Sequence, residues 1–307
     1  GRMSREVALT SLSIAEFTLV SNAIGFAIVC MFGTTLYFMM SRSDVARPYR
    51  PAVTTSALVT FIAGIIYLQI WSDWKAGHQL RGELYVPSAS MPFTDIYRYV
   101  DWMLTVPLLC ASLILSLNLP DKDRKSLMPK LTVSAAMMIV LGYAGEVTGD
   151  TFSKFMLGTM SGLPFFYIIS VLWGGLDKAV RGQATPVRQA MARARLVLFV
   201  SWLFYPTVYF FSLLGFTDSL SKVVLEVGYS AADIAAKCGY GLTVFAIVRE
   251  KMKASGEDVD AVTRVSVVGS VPVPVMLAPP PPLPAPLPED MIPRAENVVA
   301  RMNGPLR

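Results

Sequence analysis

An amine, two carboxylates and a guanidinium occur in this sequence at places where ionisable groups are expensive. Lys237 lies near the middle of an apolar stretch with Asp233 one helical turn before it, and Asp101 is central in another, with Arg98 and Thr105 nearby. Residues three and four apart share a helix face, so Arg98, Asp101 and Thr105 line one stripe and Asp233 and Lys237 another. Two carboxylates offset one lysine and one arginine. Ionisable groups inside a membrane point to function, and a desolvated lysine has a use that ion pairing does not require, because its amine condenses readily with an aldehyde. The plainer alternative is a buried ion-pair network that only locks helices together.

Positioning these groups requires elements that cross a bilayer. The 307 residues are 53% hydrophobic, with a mean hydropathy of +0.50, too apolar for an ordinary soluble domain of this length. Stretches of about 20 mostly apolar residues, long enough to span as helix, recur along the chain. Seven are expected, over Ile14 to Met40, Pro51 to Ile70, Thr94 to Leu117, Leu127 to Val147, Phe152 to Gly174, Ala190 to Gly215 and Leu220 to Val248, which predicts an all-α seven-helix membrane bundle. Lys and Arg concentrate in the first, third and fifth loops, including Arg42, Arg47, Arg50, Lys122, Arg124, Lys125, Arg181, Arg188 and Arg193. By the positive-inside tendency that side is cytoplasmic, with the N-terminus outside and the C-terminus inside a cell membrane. The net charge of +5 follows from the same bias, so a nucleic-acid partner has little support.

Trp102 on the third span joins Trp202, Tyr205 and Tyr209 on the sixth, the last three at helical spacing around Pro206. They would line a slot for a long flat polyene; a stripe at this spacing also serves plain helix packing. Cys30, Cys110 and Cys238 fall inside apolar spans and imply neither a disulfide nor a metal site. Gly1 to Val7 are too polar for a signal peptide's apolar region, so the first span serves as its own insertion signal. The membrane domain is expected over residues 1–252 and a cytoplasmic tail over 253–307. The tail contains Ala278-Pro-Pro-Pro-Pro-Leu-Pro-Ala-Pro-Leu-Pro288, an extended polyproline spacer, and Met291 to Met302, which suits one or two amphipathic helical turns. It reads as a disordered tail, a docking peptide for a signalling partner, or a cap over the cytoplasmic face.

Arg98-Tyr-Val-Asp101-Trp-Met-Leu-Thr105-Val-Pro107-Leu-Leu109 closely resembles the third-helix signature of microbial rhodopsins. Ser230-Ala-Ala-Asp233-Ile-Ala-Ala-Lys237 resembles their seventh-helix retinal site, and Trp202-Leu-Phe-Tyr205-Pro206 the sixth-helix wall of the pocket. The resemblance covers about residues 10 to 250, and Gly142-Tyr-Ala-Gly-Glu146 sets it nearer to proteorhodopsins and xanthorhodopsin than to haloarchaeal pumps. It implies a light-responsive, non-enzymatic protein carrying all-trans retinal as a protonated Schiff base on Lys237, and homo-oligomers, trimers or pentamers, are common in such proteins. Asp101 would be counterion and first proton acceptor, and Asp233 the second counterion. Tyr67 and Tyr205 would hydrogen-bond the second carboxylate and Thr105 the first, with Arg98 holding charge on the extracellular side. Trp102, Leu109, Trp202, Tyr205, Pro206, Tyr209, Ser161 and Phe165 would wall the chromophore, Leu109 tuning it toward green. Gly158 matches the place where xanthorhodopsin-type proteins lack a tryptophan; the resemblance makes it a window for a carotenoid antenna, and close helix contact is the alternative.

Departures from that pattern bear on function. Ser112, eleven residues after Asp101 and about 16 Å along the helix, stands where pumping members carry the carboxylate that returns a proton. Serine has no titratable proton near neutral pH. The position of a histidine beside the counterion reads Ile66, and the single histidine, His78, is expected to be solvated in a loop. Arg50 is either ordinary positive-inside anchoring or an arginine turned inward above the Schiff base. Together with the long tail, Ser112 and Arg50 suggest the cryorhodopsin group, with a slow photocycle and a photosensory role; an outward proton pump is the alternative.

Overall fold

The structure, a computed structural model, describes residues 11–213 and 219–256. A two-residue strand β1 (Leu12–Ser13) leads into helix α1 (Ile14–Ser41), and a 3₁₀ turn (Arg47–Tyr49) precedes α2 (Arg50–Ala76). A hairpin of β2 (His78–Arg81) and β3 (Leu84–Pro87) connects to α3 (Ile96–Leu117), followed by α4 (Asp121–Val147) and α5 (Thr151–Ser170). A π segment (Val171–Gly175) and short α6 (Asp177–Arg181) lead to α7 (Thr185–Ser212). The last rod is α8 (Ser219–Asp233), a π segment (Ile234–Gly239) and α9 (Tyr240–Ser255). Counting it once and omitting α6, seven helical rods form the bundle.

Among the described residues six of these rods are long and apolar enough to cross a membrane; α7, 28 residues long, is the other, and its first turns carry Arg188, Arg193 and Arg195. The observed helices outrun the apolar stretches, most clearly α2 to Ala76, α4 back to Asp121 and α7 back to Thr185. Helical hydrogen bonding continues past the apolar stretches into segments that carry charged side chains.

Local sequence sets several ends. Ser13 and Glu16 form a reciprocal capping box, Ser13 N–H donating to Glu16 Oε2 at 2.7 Å and Glu16 N–H to Ser13 Oγ at 3.2 Å. Asn118 ends α3 in the left-handed region (φ 47°), which its short polar side chain tolerates. The hairpin, absent from the sequence reading, makes a three-stranded antiparallel sheet in the order β1-β3-β2, with Leu12 opposite Tyr85 and Leu80 opposite Tyr85 from the other side. This end of the bundle is called the sheet end below, and the other the basic-loop end.

α3 and the seventh rod are central and α4 is peripheral: 61% of the apolar stretch of each central rod is buried, against 17% in α4. The main core (Trp102, Leu109, Leu113, Trp202, Tyr240 among others) fills the middle and basic-loop half; a second cluster of Phe17, Tyr67, Ile70 and Trp74 closes the sheet end. The chain divides into a unit Gly1–Thr263 and a second unit Arg264–Arg307. The second unit, with the polyproline run and the Met291 to Met302 stretch, lies outside the described residues.

Candidate functional site

Lys237 sits within the π segment Ile234–Gly239, where the wider turn breaks the regular ladder. Its Nζ lies 2.8 Å from Asp101 Oδ2 on α3 and 2.5 Å from Asp233 Oδ1 at the end of α8, and all three side chains are buried. The two carboxylates are not equivalent. Asp233 accepts from Tyr67 Oη (2.6 Å), Tyr205 Oη (2.5 Å) and Trp102 Nε1 (3.2 Å) as well as Lys237. Asp101 has the Lys237 ammonium as its counter-charge and accepts no hydrogen bond from a neutral group among the described residues.

Thr105 was expected to bond the Asp101 carboxylate. Its hydroxyl instead donates to the Asp101 backbone carbonyl at 2.8 Å, the usual i−4 bond of a helical threonine. Arg98 is fully buried and points to the sheet end, where Nη2 meets Glu226 Oε2 at 2.6 Å, Nε meets Asp95 Oδ1 at 3.0 Å and Nη1 donates to Tyr67 Oη at 3.3 Å. Glu226 was missed by the sequence reading although a signal existed: Glu226, Ser230, Asp233 and Lys237 recur at helical spacing along one buried face. Tyr229, also missed, stacks against Tyr205 with ring centroids 6.2 Å apart and backs Trp102 at 5.7 Å.

Lys237 ends a mostly apolar cavity of about 320 Å³, within the range of small-molecule sites. Its walls include Trp102, Leu109, Gly158, Ser161, Phe165, Trp202, Tyr205, Pro206 and Tyr209. Tyr67 is not on this wall; it acts one layer away, through Asp233. At Gly158, on the cavity wall, the space a side chain would take is filled by the Tyr209 ring. A side chain there, or at Gly145, would collide with the ring and hydroxyl of Tyr209, which occupies that space and donates to the Lys154 carbonyl at 2.7 Å. The glycines serve close contact between α4, α5 and α7.

On the basic-loop side of Lys237, Ser112 is buried and donates to the Leu109 carbonyl at 2.9 Å, which Tyr240 Oη also approaches at 3.4 Å. Arg50 does not turn inward: Nε and Nη2 donate to the carbonyls of Val45 (2.8 Å) and Ser43 (3.2 Å) in its own loop. His78 is not solvated either. It is 5% exposed, its Nδ1 is 2.8 Å from the Trp74 carbonyl and its ring lies 4.2 Å from that of Trp74. Burial, with Lys222 nearby, pushes its pKa down to about 4.

Residues 18–251 match the bacteriorhodopsin-like protein family. The green-light absorbing proteorhodopsin of Gamma-proteobacterium EBAC31A08 is 30% identical over 228 residues, 73% of this chain and 84% of that protein. Among solved structures, a thermophilic rhodopsin is 41% identical with a TM-score of 0.78, covering 81% of this chain and 99% of that one. Xanthorhodopsin, described as a light-driven ion pump with dual chromophore, is 38% identical with a TM-score of 0.77 over the same shares. The chain therefore belongs to the bacteriorhodopsin-like family, as a multi-pass type 1 rhodopsin of the proteorhodopsin and xanthorhodopsin branch.

Proposed function

We propose that this chain carries retinal on Lys237 and acts as a slow-cycling light sensor with little net transport. The observation behind it is one amine, Lys237 Nζ, held between two buried carboxylates at the end of an aromatic-walled cavity of about 320 Å³. The residues fit the group: the amine condenses with an aldehyde, and Trp102 and Trp202 wall the slot a polyene would take. When bound, retinal supplies absorption of visible light and a change of shape at the attached nitrogen.

The chain's own residues then divide the proton work. Asp233 keeps its negative charge, because protonating it would sacrifice bonds from two tyrosines and a tryptophan. Asp101, whose charge is met by Lys237, gives up the fewest hydrogen bonds on accepting the proton from Nζ. Arg98 and Glu226 extend the polar path toward the sheet end, which the distribution of basic residues makes the outside of the cell. Return of the proton from the other side is the slow step. Asp101, Glu226 and Asp233 are the buried acids among the described residues, and none lies beyond Lys237 toward the basic loops. The hydroxyls of Ser112 and Tyr240 face the Leu109 carbonyl there and offer no exchangeable carboxyl proton.

Ser112 and the long tail support the cryorhodopsin likeness; Arg50, tied to its own loop, lends it nothing. An outward pump is the second reading, favoured by the acceptor geometry at Asp101 and by the likeness to xanthorhodopsin. An antenna carotenoid at Gly158 is weighed against by the Tyr209 ring packed on it. The test is flash-induced absorption recovery of the purified, retinal-loaded protein alongside light-driven pH change in cells that express it. Recovery over seconds with negligible acidification supports the sensor; millisecond recovery with uncoupler-sensitive acidification establishes a pump and rejects it.

A further inference from the structure

We propose that the groove between the end of α1 and the start of α2 binds a phosphate-bearing anion. The groove holds about 510 Å³ and is lined by Arg42, Arg47, Arg50, Pro51, Thr54 and Thr55, with no carboxylate among them. Three like charges around one groove repel each other, and local bonds hold two of them there. Arg42 Nε donates to Thr54 Oγ1 at 2.8 Å, so the end of α1 is tied to the first turn of α2. Arg50 is tied to the Val45 and Ser43 carbonyls. The guanidinium of Arg47, in the 3₁₀ turn between them, has no hydrogen bond or ion pair among the described residues, while its backbone carbonyl accepts from the Arg50 N–H. Asp44, the acid of the same loop, accepts from Ser43 Oγ at 3.1 Å and lines no part of the groove.

A phosphate group suits this arrangement. Its oxygens accept from forked guanidinium donors, and its charge relieves the mutual repulsion of the arginines. Thr54 and Thr55 spend their own hydroxyl protons on the carbonyls of Arg50 (2.9 Å) and Pro51 (2.8 Å), so the donors left for a ligand are the arginine N–H groups. The groove lies where two spanning helices leave the apolar layer, the depth of lipid phosphates. The same chemistry would accept a lipid headgroup or soluble phosphate.

The full chain is placed in nanodiscs of phosphatidylcholine doped with phosphatidylglycerol, and retained lipid is counted by native mass spectrometry. In phosphatidylcholine-only discs, inorganic phosphate is titrated calorimetrically. We expect retention of phosphatidylglycerol over phosphatidylcholine, or phosphate binding, to be lost by tenfold or more in the Arg42→Gln/Arg47→Gln/Arg50→Gln variant, from about fivefold per basic residue. The Lys122→Gln/Arg124→Gln/Lys125→Gln variant, with the same loss of charge, should bind as wild type does. Signal in the lipid arm alone names the bilayer as source; signal in the phosphate arm names a soluble phosphate. If the triple arginine variant does not fold, Arg47→Gln alone, which removes no intramolecular bond, should still lower binding about fivefold. Absence of both signals in the wild type, or an equal loss in the lysine-containing control, overturns the proposal.

Discussion

Replacing Glu226 with Gln should destabilise the bundle more than any other single loss of a carboxylate charge at the sheet end. Arg98 is fully buried, and its shortest ion pair is with Glu226 at 2.6 Å, whose side chain is 2% exposed. Removing one partner of a buried pair leaves an uncompensated charge and costs about 3–5 kcal/mol. Asp95, 3.0 Å away and 32% exposed, remains to share the Arg98 charge, which puts the expected cost near the lower limit, about 3 kcal/mol. Asp95→Asn should cost about 1 kcal/mol or less, because that pair is already wet. The double variant Arg98→Gln/Glu226→Gln should cost less than the sum of the two singles by about 2–3 kcal/mol, since neither charge is then stranded. The assay is unfolding in mixed detergent micelles, followed by loss of the visible band and by helical ellipticity. Additive single losses, or an Asp95→Asn cost equal to that of Glu226→Gln, would refute the assignment of Glu226 as the principal partner of Arg98.

Four further outcomes are expected. Asp101→Asn should shift the visible band to longer wavelength and abolish the light-induced deprotonated species in flash spectroscopy; an unchanged spectrum removes Asp101 from its role. Ser112→Asp should shorten absorption recovery by about 100-fold, the lower range for a positioned proton donor, and unchanged kinetics would move the bottleneck elsewhere. His78 stays neutral in the fold down to about pH 4 but takes up a proton near pH 6.5 when unfolded. The contribution of His78 to stability should therefore be constant above pH 7 and fall between pH 6.5 and 4, by about 2 kcal/mol after allowance for residual solvent, and His78→Gln should remove that component of the slope in detergent unfolding curves. Gly158→Ala should cost about 1–3 kcal/mol by displacing the Tyr209 ring; equal or greater stability would show that the ring yields freely.

What the sequence disclosed, and what it withheld, divides along physical lines. Spans were legible because a bilayer imposes a length of apolar helix, and Lys237, Asp233 and Asp101 because charge within such a span is conspicuous. The cavity wall was legible from helical spacing, since Trp202, Tyr205 and Tyr209 must project from one side of α7. Hydrogen-bond choices were not. A threonine four residues after an aspartate can bond either that residue's backbone carbonyl or its carboxylate, and no spacing rule decides between them; Thr105 takes the carbonyl. Arg50 is similar, because whether a flexible guanidinium turns inward or caps its own loop depends on carbonyls that only the folded turn at residues 43 to 45 exposes. His78 looked solvated because it follows the apolar part of α2; the hairpin and the rings of Trp74 and Phe93 bury it, and a two-residue strand pairing with that hairpin has almost no signature. Glu226 had a helical-spacing signal, obscured by its place near the span's end, where a carboxylate reads as reaching water.

The distribution of buried polarity gives the proposed function its direction. From Lys237 toward the sheet end, hydrogen bonds and ion pairs connect Asp233 to Tyr67, Tyr67 to Arg98 and Arg98 to Glu226 and Asp95, the last of these part-exposed. From Lys237 toward the basic loops the buried polar groups are mainly hydroxyls, Ser112, Ser116, Ser56 and Thr60, until Lys251 caps the Leu117 carbonyl at 2.5 Å. Hydroxyls relay a proton only when a donor stands behind them, and here Ser112 and Ser116 spend theirs on the carbonyls of Leu109 and Leu113 in their own helix. On the proposed function, a proton released from Nζ meets an organised polar route on one side and returns through a half-bundle that holds no buried carboxylate among the described residues. Under that proposal, fast release with slow return would prolong the light-altered state and limit net flux, which is what would separate a sensor from a pump built on the same site.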